Sequence, residues 1–329
     1  MRYLLLLPLL AFAKPTLPDR RDTFEPAGLH SKVHKKKKKK SRENERVSRN
    51  AYLSAEGHFK LLDAAVQAKN YKEAILQAEI TEANFKVHPL YKASRYDVAV
   101  AYNSLDFLVE ANRALSDYLA AGLSDHFQEA LTMKFEIAQK FGKGERGQYS
   151  YIKSIFTERS FPERAIEIYN DILLYAPSSD LAAYALFHKA QLEMTLNDHD
   201  ESIDTFHTLL HDFIGHELLP QAYFGIAQNY YARYEADRSK TPDLLDLAQV
   251  NLENFEAAYP SHQLLKQSRE LFLDMRSALA WELYNIGRYF ERRRKPKAAA
   301  LYYRQICEKY PDTPAAEKCH TSHAKVLEL

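Results

Sequence analysis

Residues 287–311, GRYFERRRKPKAAALYYRQICEKYP, carry a spaced pattern of side-chain sizes. Gly287 is followed by Phe290, Ala299, Tyr303 and Pro311, at steps of three, nine, four and eight residues. A small residue lets two antiparallel helices approach closely, an aromatic fills the space toward the next element, and Pro marks where a helix cannot continue. The stretch reads as a helical hairpin.

The pattern recurs toward the N-terminus. Ala227, Tyr230, Ala248, Leu252 and Pro260 form a second copy, with nine extra residues between its helices. Ala99, Tyr102, Ala111 and Leu115 form a third, and Ala165, Tyr169 and Pro177 keep the second half of a fourth. Ala190, Ser202 and Phe206 make a fifth, while Ala65, Tyr71 and Ala74 make a degenerate first. This resembles the tetratricopeptide repeat, a helix-turn-helix unit of about 34 residues. The expected fold is all-α, a superhelix of about five to six imperfect hairpins over residues 51–329. The competing reading is an ordinary helical bundle with coincidental spacing. Tyr310-Pro311-Asp312-Thr313-Pro314 closes one helix and opens another, with Thr313 as N-cap and Pro314 as first helical residue. Tyr259-Pro260-Ser261 does the same one unit earlier.

Composition agrees with a helical body. Of 329 residues only 9 are Gly, and two Cys exclude a disulfide-rich scaffold or a four-Cys zinc module. No apolar run reaches the roughly 18 residues that span a bilayer. The charge total is nearly neutral, with 45 Lys+Arg against 44 Asp+Glu. Residues 1–50 nevertheless hold 14 Lys+Arg and 5 Asp+Glu, leaving 31 against 39 in residues 51–329. An acidic body argues against nucleic acid as a partner.

The first 13 residues read as a cleaved signal peptide. Met1-Arg2-Tyr3 is followed by the apolar stretch Leu4–Ala13, which ends Ala11-Phe12-Ala13. A buried strand or an uncleaved anchor is the alternative. Residues 14–50 read as a disordered basic linker, broken by Pro15, Pro18, Pro26 and Gly28. Within it Lys35, Lys36, Lys37, Lys38, Lys39 and Lys40 repel one another. The run is a solvated linker or an electrostatic foothold on an anionic membrane, where each surface Lys is worth about 1 kcal/mol. The signal-like start argues against a nuclear-import tail.

Catalytic motifs are lacking. Residues 142–147 spell G-x-G-x-x-G, but a dinucleotide site needs that motif between a strand and a helix N-terminus. Here it follows a helical segment, so 142–150 is expected to be a flexible connection between repeats 51–141 and 151–329. Asp204, His207 and His211 share one helix face, which reads more naturally as the solvated back of a hairpin than as a metal site. Cys319, His320 and His323 are as thin a signal. No metal and no cofactor are expected, and the chain is expected not to be an enzyme. Cys307 and Cys319 either form a bridge pinning the terminal helix or stay as buried thiols.

The first helix of each stacked hairpin lines the inner wall of such a repeat array. Helical positions not used in hairpin packing include Phe59, Tyr96, Asn103, Phe187, Gln191, Phe224, Gln228, Tyr231, Trp281, Tyr284, Arg288 and Arg292. Aromatic and Arg side chains are the types enriched at binding hot spots. An extended or helical peptide is the expected ligand.

Over roughly residues 52–329 the chain resembles the BamD (ComL/YfiO) family. The resemblance rests on Asp237-Arg238-Ser239-Lys240-Thr241, Ala248–Pro260, Gly287–Ala299 and Tyr310-Pro311-Asp312-Thr313-Pro314. It implies a periplasmic, outer-membrane-associated scaffold that binds the β-barrel assembly protein and unfolded outer-membrane proteins. Carried over, Asp237, Arg238, Trp281, Tyr284, Arg288 and Arg292 fall to the assembly partner, and Phe59, Tyr96 and Asn103 to substrate. The alternative is another exported repeat adaptor: an envelope or division protein, or a secretion chaperone. Two departures stand out. No Cys precedes Cys307, so lipid attachment at a signal-peptide Cys is not expected, and the lysine run would supply a weaker electrostatic substitute. The family's R-D-R-L-A stretch reads Arg276-Ser277-Ala278-Leu279-Ala280, without its second arginine.

Overall fold

Alternating small and aromatic positions produce a run of paired helices. A computed structural model describes residues 51–145, 147, 161–236 and 241–327, and among these there is no strand. The first pair is α1 (Ala55–Gln67) and α2 (Tyr71–Asn84), followed by the short α3 (Pro89–Ala93). Next come α4 (Arg95–Ser104) with α5 (Leu108–Ala120), and α6 (Phe127–Gly142) with α7 (Phe161–Tyr175). The C-terminal pairs are α8 (Asp180–Thr195) with α9 (His199–Asp212), α10 (Leu219–Ala236) with α11 (Thr241–Ala258), and α12 (Gln263–Arg292) with α13 (Pro296–Lys309). The helices α14 (Pro314–Ser322) and α15 (Ala324–Leu327) close the array. Each pair packs as a hairpin, and the second helix of one pair packs on the first of the next. The architecture is the tetratricopeptide one expected.

The repeat positions do what their sizes suggest. Ala99, Ala111, Ala165, Ala190 and Ala299 are all completely buried. Ser202 takes the small position of α9 and donates its hydroxyl to the Ala190 carbonyl at 2.8 Å, which ties α9 to α8. At Gly287 a Cβ would lie 2.4 Å from Cε1 of Tyr303, closer than any methyl tolerates. Gly225 sits equally tightly against Phe206, where the same atom would meet the ring at 2.5 Å.

Helix starts follow the capping signals. Ser54, Ser179 and Thr313 accept hydrogen bonds from the backbone N–H of Gly57, Ala182 and Ala316, satisfying donors that a helix start leaves open. Thr313 and Pro314 hold the N-cap and first-turn places assigned to them. One unit earlier the cap is His262 rather than Ser261: its Nδ1 accepts from Leu264 N–H at 3.2 Å. Before the first hairpin, Tyr52 and Leu53 donate their backbone N–H groups to Nε2 of the buried His58, and His58 Nδ1 donates to Gln77 Oε1 at 2.7 Å. That network pins the start of the repeat body onto α1 and α2.

Of the connection at 142–150, residues 146 and 148–150 lie outside the described residues. Helices α6 and α7 flank it and share one apolar core, with Ala138 and Phe141 on one side and Ala165, Ile168 and Tyr169 on the other. The two apolar cores meet at α8, where Ala185 belongs to one and Ala183, Leu186 and Ala190 to the other. The glycines serve the turn: Gly144 and Gly147 have φ of 78° and 61°, in the left-handed region that glycine enters without strain. Residues 51–329 form one unit by backbone contacts. The signal-peptide reading of 1–13 and the linker of 14–50 lie outside the described residues, as do Lys35, Lys36, Lys37, Lys38, Lys39 and Lys40. None of the described helices is long and apolar enough to cross a membrane.

Candidate functional site

The C-terminal cluster is built on α12 and closed by α14. Trp281 meets Tyr284 edge to face, with ring centroids 5.2 Å apart, and Lys318 of α14 lies over both rings at 5.5 and 5.8 Å. The Tyr284 hydroxyl and His323 Nε2 are 2.9 Å apart, and His323 Nδ1 reaches Glu291 at 3.0 Å. Tyr303 completes the set by donating its hydroxyl to Glu291 at 3.0 Å and stacking on His323 at 4.6 Å. Burial raises the pKa of Tyr284. Only 2% of Tyr284 is exposed, so the expectation that it lines an open wall is corrected: its helix face is taken by the chain's own terminal helices. Trp281 keeps a half-buried edge, and Arg288 and Arg292 are exposed. Asp237 and Arg238 lie outside the described residues.

At the N-terminal end Phe59 is likewise buried, 6% exposed and stacked on His88 at 5.4 Å, so it too fills a core rather than a groove. Tyr96 is half-buried and stacks on His126 at 4.3 Å, nearly parallel. Asn103 is half-buried, and its Oδ1 is shielded from solvent without a hydrogen-bond partner.

Between α6 and α8, first helices of successive hairpins, lies a cavity of about 440 Å³. Gln139, Lys143, Tyr169, His188, Gln191 and Thr195 are among its lining residues. Gln139 Nε2 and His188 Nε2 are 3.5 Å apart. Burial, partly offset by Gln191, holds the His188 imidazole below its usual pKa, and burial alone pushes the Tyr169 hydroxyl up. The site offers an apolar floor with hydrogen-bonding groups at its rim, suited to a peptide. Nearby, the completely buried Lys134 donates to Asn112 Oδ1 at 2.7 Å, Ser116 Oγ at 2.8 Å and Asp171 Oδ2 at 2.8 Å.

The remaining candidates are peripheral. Asp204, His207 and His211 are exposed on α9, and among the described residues no three potential ligands converge on a metal position. Cys307, half-buried, and Cys319, buried, are free thiols in this structure, with side chains within hydrogen-bonding reach of each other. Burial and the neighbouring Cys307 push the Cys319 thiol up to about 12.

Residues 146–325, more than half of the chain, match the YfiO family, described as "Outer membrane lipoprotein". The chain belongs to the YfiO family. Among curated proteins nothing matches. Among solved structures it is similar to YrrB, a TPR protein with an unusual peptide-binding site, at 14% identity and a TM-score of 0.34, covering 66% of this chain and 92% of that one. The apo form of RapI is 15% identical with a TM-score of 0.33, covering 88% of this chain and 82% of its own.

Two of the YfiO-like motifs meet in space. Arg276, from the stretch that lacks its second arginine, donates through Nε and a terminal nitrogen to Asp312 Oδ1 at 3.0 and 2.7 Å and to the Lys309 carbonyl at 3.0 Å. Its guanidinium also lies 5.5 Å over the Tyr310 ring. Arg276 is thus committed to holding α12 against the turn before α14. Sequence reasoning missed Lys134 and His188. Lys134 had a legible signal, a lone cation in the apolar stripe Ala130, Leu131, Ile137, Ala138 and Phe141; His188 had none.

Proposed function

We propose that this YfiO-family chain is a non-catalytic periplasmic scaffold of outer-membrane β-barrel protein assembly and insertion. The observation that carries this reading is the family match over 146–325, on a stack of helical hairpins that offers binding surfaces. In this reading the C-terminal repeats bind the β-barrel assembly protein. Arg288 and Arg292 make the contact on an exposed helix face, joined by Asp237 and Arg238, while Trp281 and Tyr284 fix the scaffold behind it. Unfolded substrate segments are engaged by Tyr96, Asn103 and the cavity between α6 and α8. A signal peptide delivers the chain, and Lys35–Lys40 assist its adhesion to the membrane.

Depletion of the protein tests the proposal. Folded, heat-modifiable outer-membrane barrels should decline within a few generations and recover when the full chain is restored. Unchanged barrel levels, with a defect confined to division or secretion, would transfer the chain to the other adaptor class.

A further inference from the structure

The turn between α12 and α13 concentrates positive charge that no ion pair among the described residues neutralises. Arg293, Arg294, Lys295 and Lys297 are all exposed, and none forms an ion pair among the described residues. Glu291, at the end of α12, is already engaged by His323 and Tyr303. Around this turn the body is acidic, with 31 Lys+Arg against 39 Asp+Glu over residues 51–329. Arg294 has a φ of 57°, so the chain reverses at the basic residues themselves and displays them on a convex tip.

Apolar side chains flank the tip. Tyr289 is 50% exposed with Arg293 lying 5.3 Å over its ring, and Leu301 is 64% exposed on α13. Tyr289 and Arg293 are four residues apart and share a helix face; Arg288 and Arg292 share the neighbouring one. A cation-rich knob with a Tyr and a Leu at its edge differs from a peptide site, which would converge on a cleft, and the cavity between α6 and α8 does not include these residues. It matches what an interfacial anchor presents to lipid headgroups.

We propose that the α12–α13 tip docks on an anionic phospholipid surface, through Arg293, Arg294, Lys295 and Lys297 with Tyr289 and Leu301 at the headgroup level. This is separate from the scaffold reading. Pure lipid contains no assembly protein, so loss of vesicle binding would leave that reading standing, and its failure would leave vesicle binding intact.

The test uses the full chain carrying Lys35–Lys40→Gln, so that the lysine run does not obscure the tip. Binding is compared on phosphatidylcholine vesicles with and without phosphatidylglycerol. At about a fivefold change in partitioning per surface cation, Arg293→Gln, Arg294→Gln and Lys295→Gln together should weaken binding to the anionic vesicles roughly 100-fold. The charge-keeping Arg293→Lys and Arg294→Lys pair should bind as the parent does. Equal binding by the triple variant would sink the idea. So would tip-dependent capture of polyglutamate without vesicle binding, which would assign the tip to an acidic polypeptide. Should the triple variant misfold, parental binding must still fall steeply with added salt, and salt-independent binding would overturn the proposal.

Discussion

Gly287 shows what a single residue decides in this repeat. In an open helix Gly→Ala gains about 1 kcal/mol of propensity. Here the added methyl would sit 2.4 Å from a ring that is itself fully buried and held by Glu291 through its hydroxyl. Tyr303 has nowhere to go, so overpacking wins and Gly287→Ala should destabilise by about 1–3 kcal/mol. Chemical denaturation would measure it, and a stabilised variant would mean that the α12–α13 contact is looser than described. Gly287, Ala299 and Tyr303 were legible in the chain because each is specified by size at a set spacing. Tyr284 and Phe59 were misjudged at the same scale. Periodicity places a residue on a face but does not say what covers that face, and here α14 and His88 do.

At the scale of elements, Lys134 joins three helices by reaching from α6 to Asn112 and Ser116 on α5 and Asp171 on α7. Its pKa is lowered because burial outweighs the help from Asp171. Charging it in the fold is therefore unfavourable on balance, and the two ends of the pair should respond differently to mutation. Lys134→Met removes the buried ammonium and lets the 40%-exposed Asp171 rehydrate, so it should cost little, about 1 kcal/mol. Asp171→Ala strands the ammonium and should cost about 3–5 kcal/mol. The pH dependence carries the same sign. The folded state releases the Lys134 proton more readily than the unfolded chain, so stability attributable to this group rises as pH climbs through its folded pKa toward the ordinary lysine range, then levels. That rise should steepen in Asp171→Ala and vanish in Lys134→Met. Urea titrations across alkaline pH check it, and equal costs for the two variants would refute the account. The lysine was visible in its apolar stripe; its partners, 22, 18 and 37 residues away, were not.

For the whole molecule, the terminal helices act as a lid on the last repeat. Ala315, Ala316 and Cys319 of α14 are completely buried, and His323 covers Tyr284 and Tyr303. A repeat array needs such a cap, because its last hairpin otherwise exposes the face that would receive another. Ending the chain before Thr313 should lower the melting temperature by roughly 5–10 °C, given the apolar area uncovered, and should create binding of a hydrophobic dye. An unchanged melt with no dye binding would show that α12 and α13 are self-sufficient.

The order of small, aromatic and proline residues determined by itself that this chain folds as stacked helical hairpins, because each hairpin is a local contact between neighbours in sequence. Tertiary structure alone decided that α6 and α7 share one core while the two cores meet at α8, that Arg276 is committed to Asp312, and that α14 covers Tyr284. Those outcomes depend on which faces meet between hairpins, and pairings over tens of residues leave no periodic mark on the chain.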